Sequence, residues 1–237
     1  MKSALPASLG LLRLAAAHPA PLDPPIRILP HHWNFNITSL KGPGCPDFGV
    51  PDGVNAERHT RPTFGENTVD GSEIYYWFLA YPSLHVELGK TESVWCETEV
   101  LYTEFGDPTT KLETEDYRLR LHKNGTKLIS TYDLDKDVKA TVTFTYLDFD
   151  VTDKLALEGP AESGQYAQNN DLVGSDTDSP HKVSKCGSAT LKFRTEVTVE
   201  GGGQKGLLGS ESAATSDAGV PQYYGTQLGF SYDWETC

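Results

Sequence analysis

The stretch ATLKFRTEVTV, from Ala189 to Val199, decides the fold class. Ala189, Leu191, Phe193, Thr195, Val197 and Val199 take every second place, with Thr190, Lys192, Arg194, Glu196 and Thr198 between them. A period of two is the pleat of a β-strand with one face in a core and the other in water. The same alternation runs through VKATVTFTYLDFDV, Val138 to Val151, with Val138, Ala140, Val142, Phe144 and Tyr146 on one side. DYRLRLH, Asp116 to His122, repeats it and leads into Asn124-Gly125, a dipeptide favoured in tight hairpin turns. A return strand is therefore expected over Lys127 to Leu134.

Working outward, strands are expected at WNFNITSL (33–40), IYYWFL (74–79), LHVEL (84–88), VWCETEVLYTEF (94–105) and residues 224–234. Residues 41–72, 158–182 and 201–219 are rich in Gly, Pro, Ser, Asp and Asn and read as loops. No helical period stands out beyond the N-terminus. Short alternating strands without helices predict an all-β protein: an antiparallel β-sandwich, jelly-roll-like, with little helix and linked by disulfides.

Cys45, Cys96, Cys186 and Cys237 are an even set with no C-x-x-C pair and no zinc spacing. They read as two disulfides and an oxidising compartment. Three connectivities are possible; Cys45 with Cys237 and Cys96 with Cys186 is the one expected here. The N-terminus, MKSALPASLGLLRLAAAHPAP, has Lys2 before a mostly apolar run and small residues at Ala15-Ala16-Ala17. It reads as a secretory signal over 1–20, interrupted by Arg13 and too short to span a bilayer. A Pro-rich leader over 21–32 and one secreted β-sandwich domain over 33–237 follow. Asn36-Ile37-Thr38 and Asn124-Gly125-Thr126 are glycosylation sequons, which support export.

The formal charge of −13, from 20 basic and 33 acidic residues, argues against a phosphate-binding surface, which needs clustered Lys and Arg. Nucleic acid and anionic membrane are therefore not expected partners. A soluble monomer is expected.

Gly44-Cys45-Pro46 in an early loop, Cys96 in a strand, Tyr117 leading to Asn124-Gly125, Gly159-Pro160, Ser184-Lys185-Cys186-Gly187 and a terminal Trp234-x-x-Cys237 occur in that order. This order resembles DUF4360, a family of secreted proteins of unknown function, over residues 33–237. The resemblance implies secretion and a β-rich fold, and it carries no catalytic residue.

Several constellations could carry chemistry. A mature N-terminal His18, with His85 or His122, would offer nitrogen ligands suited to copper. Asp148 with Asp150, or Glu97 with Glu99, would project from one strand face as a glycosidase pair needs. In a chain with 33 acids such alternation reads first as a solvated face. Asp171, Asp176 and Asp178, with Asn169 and Asn170, place hard oxygens suited to calcium in one polar loop. His31-His32 reads as a surface pair. There is no G-x-S-x-G elbow, P-loop or dinucleotide fingerprint, so neither cofactor nor metal is expected.

Trp33, Tyr75, Tyr76, Trp77, Tyr81 and Trp95 are core candidates. Tyr75, Trp77 and Trp95 could instead expose a ring face to a sugar. The leading expectation is a secreted, non-catalytic protein, acting at a cell-wall or host surface or binding a wall polysaccharide. A glycoside hydrolase or copper monooxygenase is the first alternative, and a purely structural surface protein the second.

Overall fold

The structure, a computed structural model, describes residues 29–47, 58–67, 75–149, 151–170, 182–209, 213–215, 219, 221–223 and 225–237. Residues 1–28, where the sequence predicts a signal and most of a leader, and residues 171–181 lie outside the described residues.

Strands account for nearly all of what is described. In chain order they are β1 (His32–Lys41), β2 (Arg61–Asn67), β3 (Tyr75–Tyr81), β4 (Val86–Glu87) and β5 (Ser93–Phe105). β6 (Tyr117–Leu134), β7 (Val138–Tyr146), β8 (Val151–Glu158), β9 (Ala161–Asn170) and β10 (Ala189–Gly201) follow. β11 (Gly206–Leu208), β12 (Ala213–Thr215), β13 (Pro221–Tyr223) and β14 (Thr226–Thr236) complete them. One sheet has five strands in the order β1-β5-β10-β7-β8. The second runs β2-β3-β14-β6-β11-β4, with β9 also pairing β6, while β12 and β13 form a small ribbon. The ladders are antiparallel, so the expected antiparallel β-sandwich is the observed fold.

The pleat sorts residues as the sequence pattern requires. In β5, Val94, Cys96, Thr98, Val100, Tyr102 and Glu104 are buried, and the residues between them are half-exposed or exposed. β10 and β7 bury Leu191, Phe193, Val197, Val142 and Phe144 on the same face. The second sheet answers with Leu79, Tyr81, Leu119, Leu121, Leu128, Leu228, Phe230 and Trp234 in one continuous core. Phe193 of β10 and Phe230 of β14 meet across the sandwich at 5.9 Å between ring centroids. Each fully buried aromatic or aliphatic side chain contributes roughly 1.5–3 kcal/mol.

Two polar ties cross the core. The Tyr81 and Thr98 hydroxyls lie 2.9 Å apart. Trp234 Nε1 donates to the Tyr102 hydroxyl at 2.9 Å, and that hydroxyl donates to Glu104 at 3.2 Å. The buried Glu104 carboxylate also accepts from the backbone N–H groups of Asp116 and Tyr117, at 2.8 and 3.3 Å, and from the Thr114 hydroxyl at 3.2 Å. These donors satisfy a charge that would otherwise be costly to bury.

The structure corrects several expectations. The disulfides join Cys45 to Cys96 and Cys186 to Cys237, each across 51 positions, and not Cys45 to Cys237 or Cys96 to Cys186. Cys45 is drawn to β5 because Gly44 N–H donates to the Trp95 carbonyl at 2.9 Å, setting the loop beside Cys96. Asn124-Gly125 makes no hairpin. β6 passes through it, and both halves pair with β14, with a register shift in which Thr126 faces Phe230 and Leu121 faces Tyr232. β14 is buried along most of its length, so its ladder needs a neighbour for both halves.

The expected strand over 138–151 ends at Tyr146 and resumes as β8 after a turn. The supposed loops at 41–72 and 158–182 contain β2 and β9, and only Val86–Glu87 of 84–88 is strand. β9, AESGQYAQNN, carries little apolar signal and is specified by its ladder to β6.

Burial lifts the phenols of Tyr81 and Tyr102 far above the ordinary range, and that of Tyr232 to about 12. A phenol whose folded pKa exceeds its unfolded value of ~10 stabilises fully below that value and loses its contribution as pH rises through the folded one. Stability is therefore expected to fall from about pH 10 upward. A phenolate absorbance titration should show these tyrosines ionising together with the loss of β circular dichroism; ionisation without unfolding would contradict their burial.

Peptide mapping without reduction should recover the Cys45–Cys96 and Cys186–Cys237 pairs. Replacing Cys186 and Cys237 together by Ala should lower unfolding free energy by about 4 kcal/mol, the chain-entropy value for a loop of this length.

Candidate functional site

The candidate site forms where β7 stops. Its phase sends Tyr146 inward, and two further pleats would turn Asp148 and Asp150 toward the core without partners, a cost of several kcal/mol. The chain turns instead. Leu147 N–H donates to the Lys192 carbonyl at 2.9 Å, Lys192 N–H donates to Asp148 Oδ2 at 3.2 Å, and Phe149 N–H donates to the Tyr146 carbonyl at 3.2 Å. The turn is thereby fastened to β10, with the half-buried Phe149 ring 6.5 Å from that of Tyr146.

The opposite wall is the segment 182–187. Val183 N–H donates to the Leu119 carbonyl at 3.1 Å, and Gly187 N–H to the Tyr117 carbonyl at 2.8 Å. Cys186 is bonded to Cys237, whose N–H donates to the Asp116 carbonyl at 2.9 Å. Lys182 Nζ pairs with Glu235 at 2.8 Å. Gly187 has φ 74°, and a Cβ there would stand 2.8 Å from the Thr114 carbonyl oxygen, so only glycine fits without strain.

Between these walls lies a pocket of about 340 Å³. Buried Val183, Ala189 and Leu191 line its inner part with the Phe149 ring, and Asp148, Lys182, Ser184, Lys185 and Thr190 supply its polar groups. Its volume falls at the lower end of the ~300–1,000 Å³ usual for small-ligand sites. One ring, two hydroxyls, a carboxylate and two ammonium groups can hold a polyol: the ring takes its C–H face and the polar groups take its hydroxyls. Asp148 is the sole carboxylate among the described lining residues, whereas glycoside hydrolysis uses two.

The other sequence candidates are dispersed. Tyr75 and Trp77 point into the sandwich and pack on its core: Tyr75 meets Trp33, Tyr232 and Trp234, and Trp77 meets Phe35 and Phe230. Tyr76 lies on the opposite face of the second sheet, buried beside Phe78, with Lys127 Nζ 5.8 Å from each ring centroid. Trp95 stands on the outer face of the five-stranded sheet. The Arg194 guanidinium lies 4.2 Å from its ring centroid and Gly42 packs closely against its benzo edge. Glu97 and Glu99 share that outer face but pair with Arg194 at 3.3 Å and Lys192 at 4.0 Å.

Asn36 is exposed on β1; Asn124 lies in β6, with its side chain outside the described set. His85 and His31 are exposed, and His32 stacks on Phe105 with centroids 6.0 Å apart. His18, Asp150, Asp171, Asp176 and Asp178, and the side chains of His122, Asn169 and Asn170, are outside the described residues. Among the described residues no group of three His, Cys, Asp or Glu side chains is placed to hold a metal. No described helix is long and apolar enough to cross a membrane.

Sequence reasoning brought Asp148 to attention for a different role and passed over Phe149, Lys182, Ser184 and Thr190. The usable signal was the pair of aspartates on the core phase of a strand, which foretells a turn.

No family model matches the chain, and no curated protein matches it. Among solved structures it is similar to the carbohydrate-binding module TmCBM61, determined in complex with β-1,4-galactotriose. That likeness has 12% identity, 86% of this chain and 88% of that chain covered, and a TM-score of 0.18.

Gly187→Ala should destabilise the fold by about 1–3 kcal/mol in urea unfolding. Gly89→Ala, at φ 76° with nothing near its Cβ, should cost less. Equal costs would show that the contact with Thr114 does not fix the pocket wall.

Proposed function

We propose that this protein is an extracellular, non-catalytic glycan-binding β-sandwich that holds a sugar unit of a wall or surface polysaccharide in the pocket between Phe149 and the 182–187 wall. The observation that carries this reading is the pocket's composition: a half-buried ring beside hydroxyls and charges, at the edge of a rigid core. The sugar's apolar face rests on Phe149. Ser184, Thr190 and Asp148 bond its hydroxyls, and Lys182 and Lys185 complete the rim. Two disulfides support an oxidising location. Among the described residues the pocket offers one acid, and the strand-borne pair Glu97 and Glu99 is held in ion pairs, so the reading rests on binding groups and not on a catalytic pair.

The test is depletion of the secreted protein by insoluble chitin, β-glucan, cellulose and mannan, with soluble sugars assayed in the same tubes. Retention on at least one polymer without released sugar is expected. Phe149→Ala and, as a surface substitution less prone to unfold the chain, Thr190→Ala should weaken it about tenfold, the equivalent of ~1.4 kcal/mol. Released sugar would make the protein an enzyme. Retention unchanged in both variants would move binding away from this pocket.

A further inference from the structure

A second, smaller cleft lies on the outer face of the five-stranded sheet, over the seam between β1 and β5. It has a volume of about 190 Å³ and is lined by Asn34, Asn36, Thr103, Phe105, Lys111 and Glu113. The ladder pairs His32 with Phe105, Asn34 with Thr103 and Asn36 with Leu101, so these side chains form one continuous strip. His32 lies against Phe105 with an interplanar angle of 18°. The far wall is the loop after β5. Asp107 accepts from the backbone N–H of Thr109, Lys111 has φ 51°, and Glu113 bridges back to Phe105 and accepts from the Ser188 hydroxyl at 2.6 Å. An aromatic ring, two amides, a hydroxyl and an ion of each sign are a sugar-binding set.

Two observations separate this cleft from the pocket described above. It is smaller than the ~300–1,000 Å³ typical of sites that capture free ligands. And one of its lining residues, the exposed Asn36, is the acceptor of the sequon Asn36-Ile37-Thr38.

We infer that Asn36 carries an N-linked glycan and that the first sugars of that glycan occupy the Phe105 cleft. Attachment joins the Asn36 side-chain nitrogen to the anomeric carbon of a lipid-pyrophosphate-linked oligosaccharide. The C–N bond forms, the C–O bond to pyrophosphate breaks, the amide gives up one proton, and the lipid pyrophosphate leaves. From Asn36 the strip runs four residues to Phe105, about 13 Å at the rise of a strand, which is the reach of a short oligosaccharide and not of a single ring. Tethering supplies sugar at an effective concentration on the order of millimolar, so a shallow cleft that holds free sugar only weakly is filled by the attached one. The glycan also stands on an edge strand, β1, where it blocks pairing with another chain. The inference rests on export of the chain and not on the Phe149 pocket.

The test uses the full chain secreted from a eukaryotic host. Peptide mapping should find Asn36 glycosylated. Thr38→Ala, which keeps Asn36 but removes the sequon, should lower the thermal midpoint by about 2–4 °C. Enzymatic removal of the glycan from the folded wild type should reproduce that shift, separating it from loss of the Thr38 hydroxyl. In a Phe105→Leu background, which keeps apolar bulk but removes the ring face, Thr38→Ala should leave the midpoint unchanged. An unmodified Asn36 in secreted protein, or the same Thr38→Ala shift with and without Phe105, would overturn the inference. Polysaccharide retention by Thr38→Ala should stay at the wild-type level, so failure here and failure of the Phe149 pocket are read separately.

Discussion

A buried carboxylate has to be met by donors, and Glu104 at the end of β5 imposes that condition on one whole end of the sandwich. Its oxygens collect the Tyr102 hydroxyl, the Thr114 hydroxyl and the N–H groups that open β6. Tyr102 is in turn held by Trp234 of β14. One acidic side chain therefore sets the position of the loop after β5, the first residues of β6 and the end of β14. Gly187 bonds to Tyr117, and Cys237 bonds both to Asp116 and to Cys186. The wall of the Phe149 pocket thus inherits its place from a charge in the core. Removing Glu104 leaves the Asp116 and Tyr117 N–H groups without an acceptor, which is costlier than losing a surface ion pair.

The two sheets divide the labour. The core of packed rings is stiff, because aromatic pairs between and within the sheets run from Phe35 through Phe230 to Trp234. The polar groups that could recognise a ligand sit on turns fastened to this core: 147–149 by backbone hydrogen bonds to β10, and 182–187 by backbone hydrogen bonds to β6, an ion pair to Glu235 of β14 and the disulfide to Cys237. Side chains on such anchored turns keep their geometry without being buried, as a binding surface needs.

How much of this was legible in the sequence depended on whether the signal was local. Alternation in 189–199 and 138–146 identified strands because one face of each meets a core, and the sandwich followed. Asn124-Gly125 misled because a local turn preference lost to β14, which takes both halves of β6 as neighbours. β9 was invisible because a polar strand can be specified by hydrogen bonds to its partner alone. Disulfide pairing is a tertiary fact, fixed here by a loop bonding to the Trp95 carbonyl and by the docking of 182–187. The aromatics were read correctly as core for Trp33 and Tyr81. The pocket lay one step beyond the pattern, in what a strand does when its next inward residues are aspartates.

The place of β14 in the second sheet has a consequence for biosynthesis. It lies between β3 and β6, pairing with both, yet residues 226–236 are made after either neighbour. Until they emerge, β3 and β6 each present a bare edge and the sheet is split down its middle. The first sheet waits in the same way for β10, which lies between β5 and β7, but that wait ends at residue 201. A nascent chain therefore carries one finished sheet and one open cleft, shaped to accept a strand from any source. That interval is when a chaperone, or a neighbouring copy, has its opportunity.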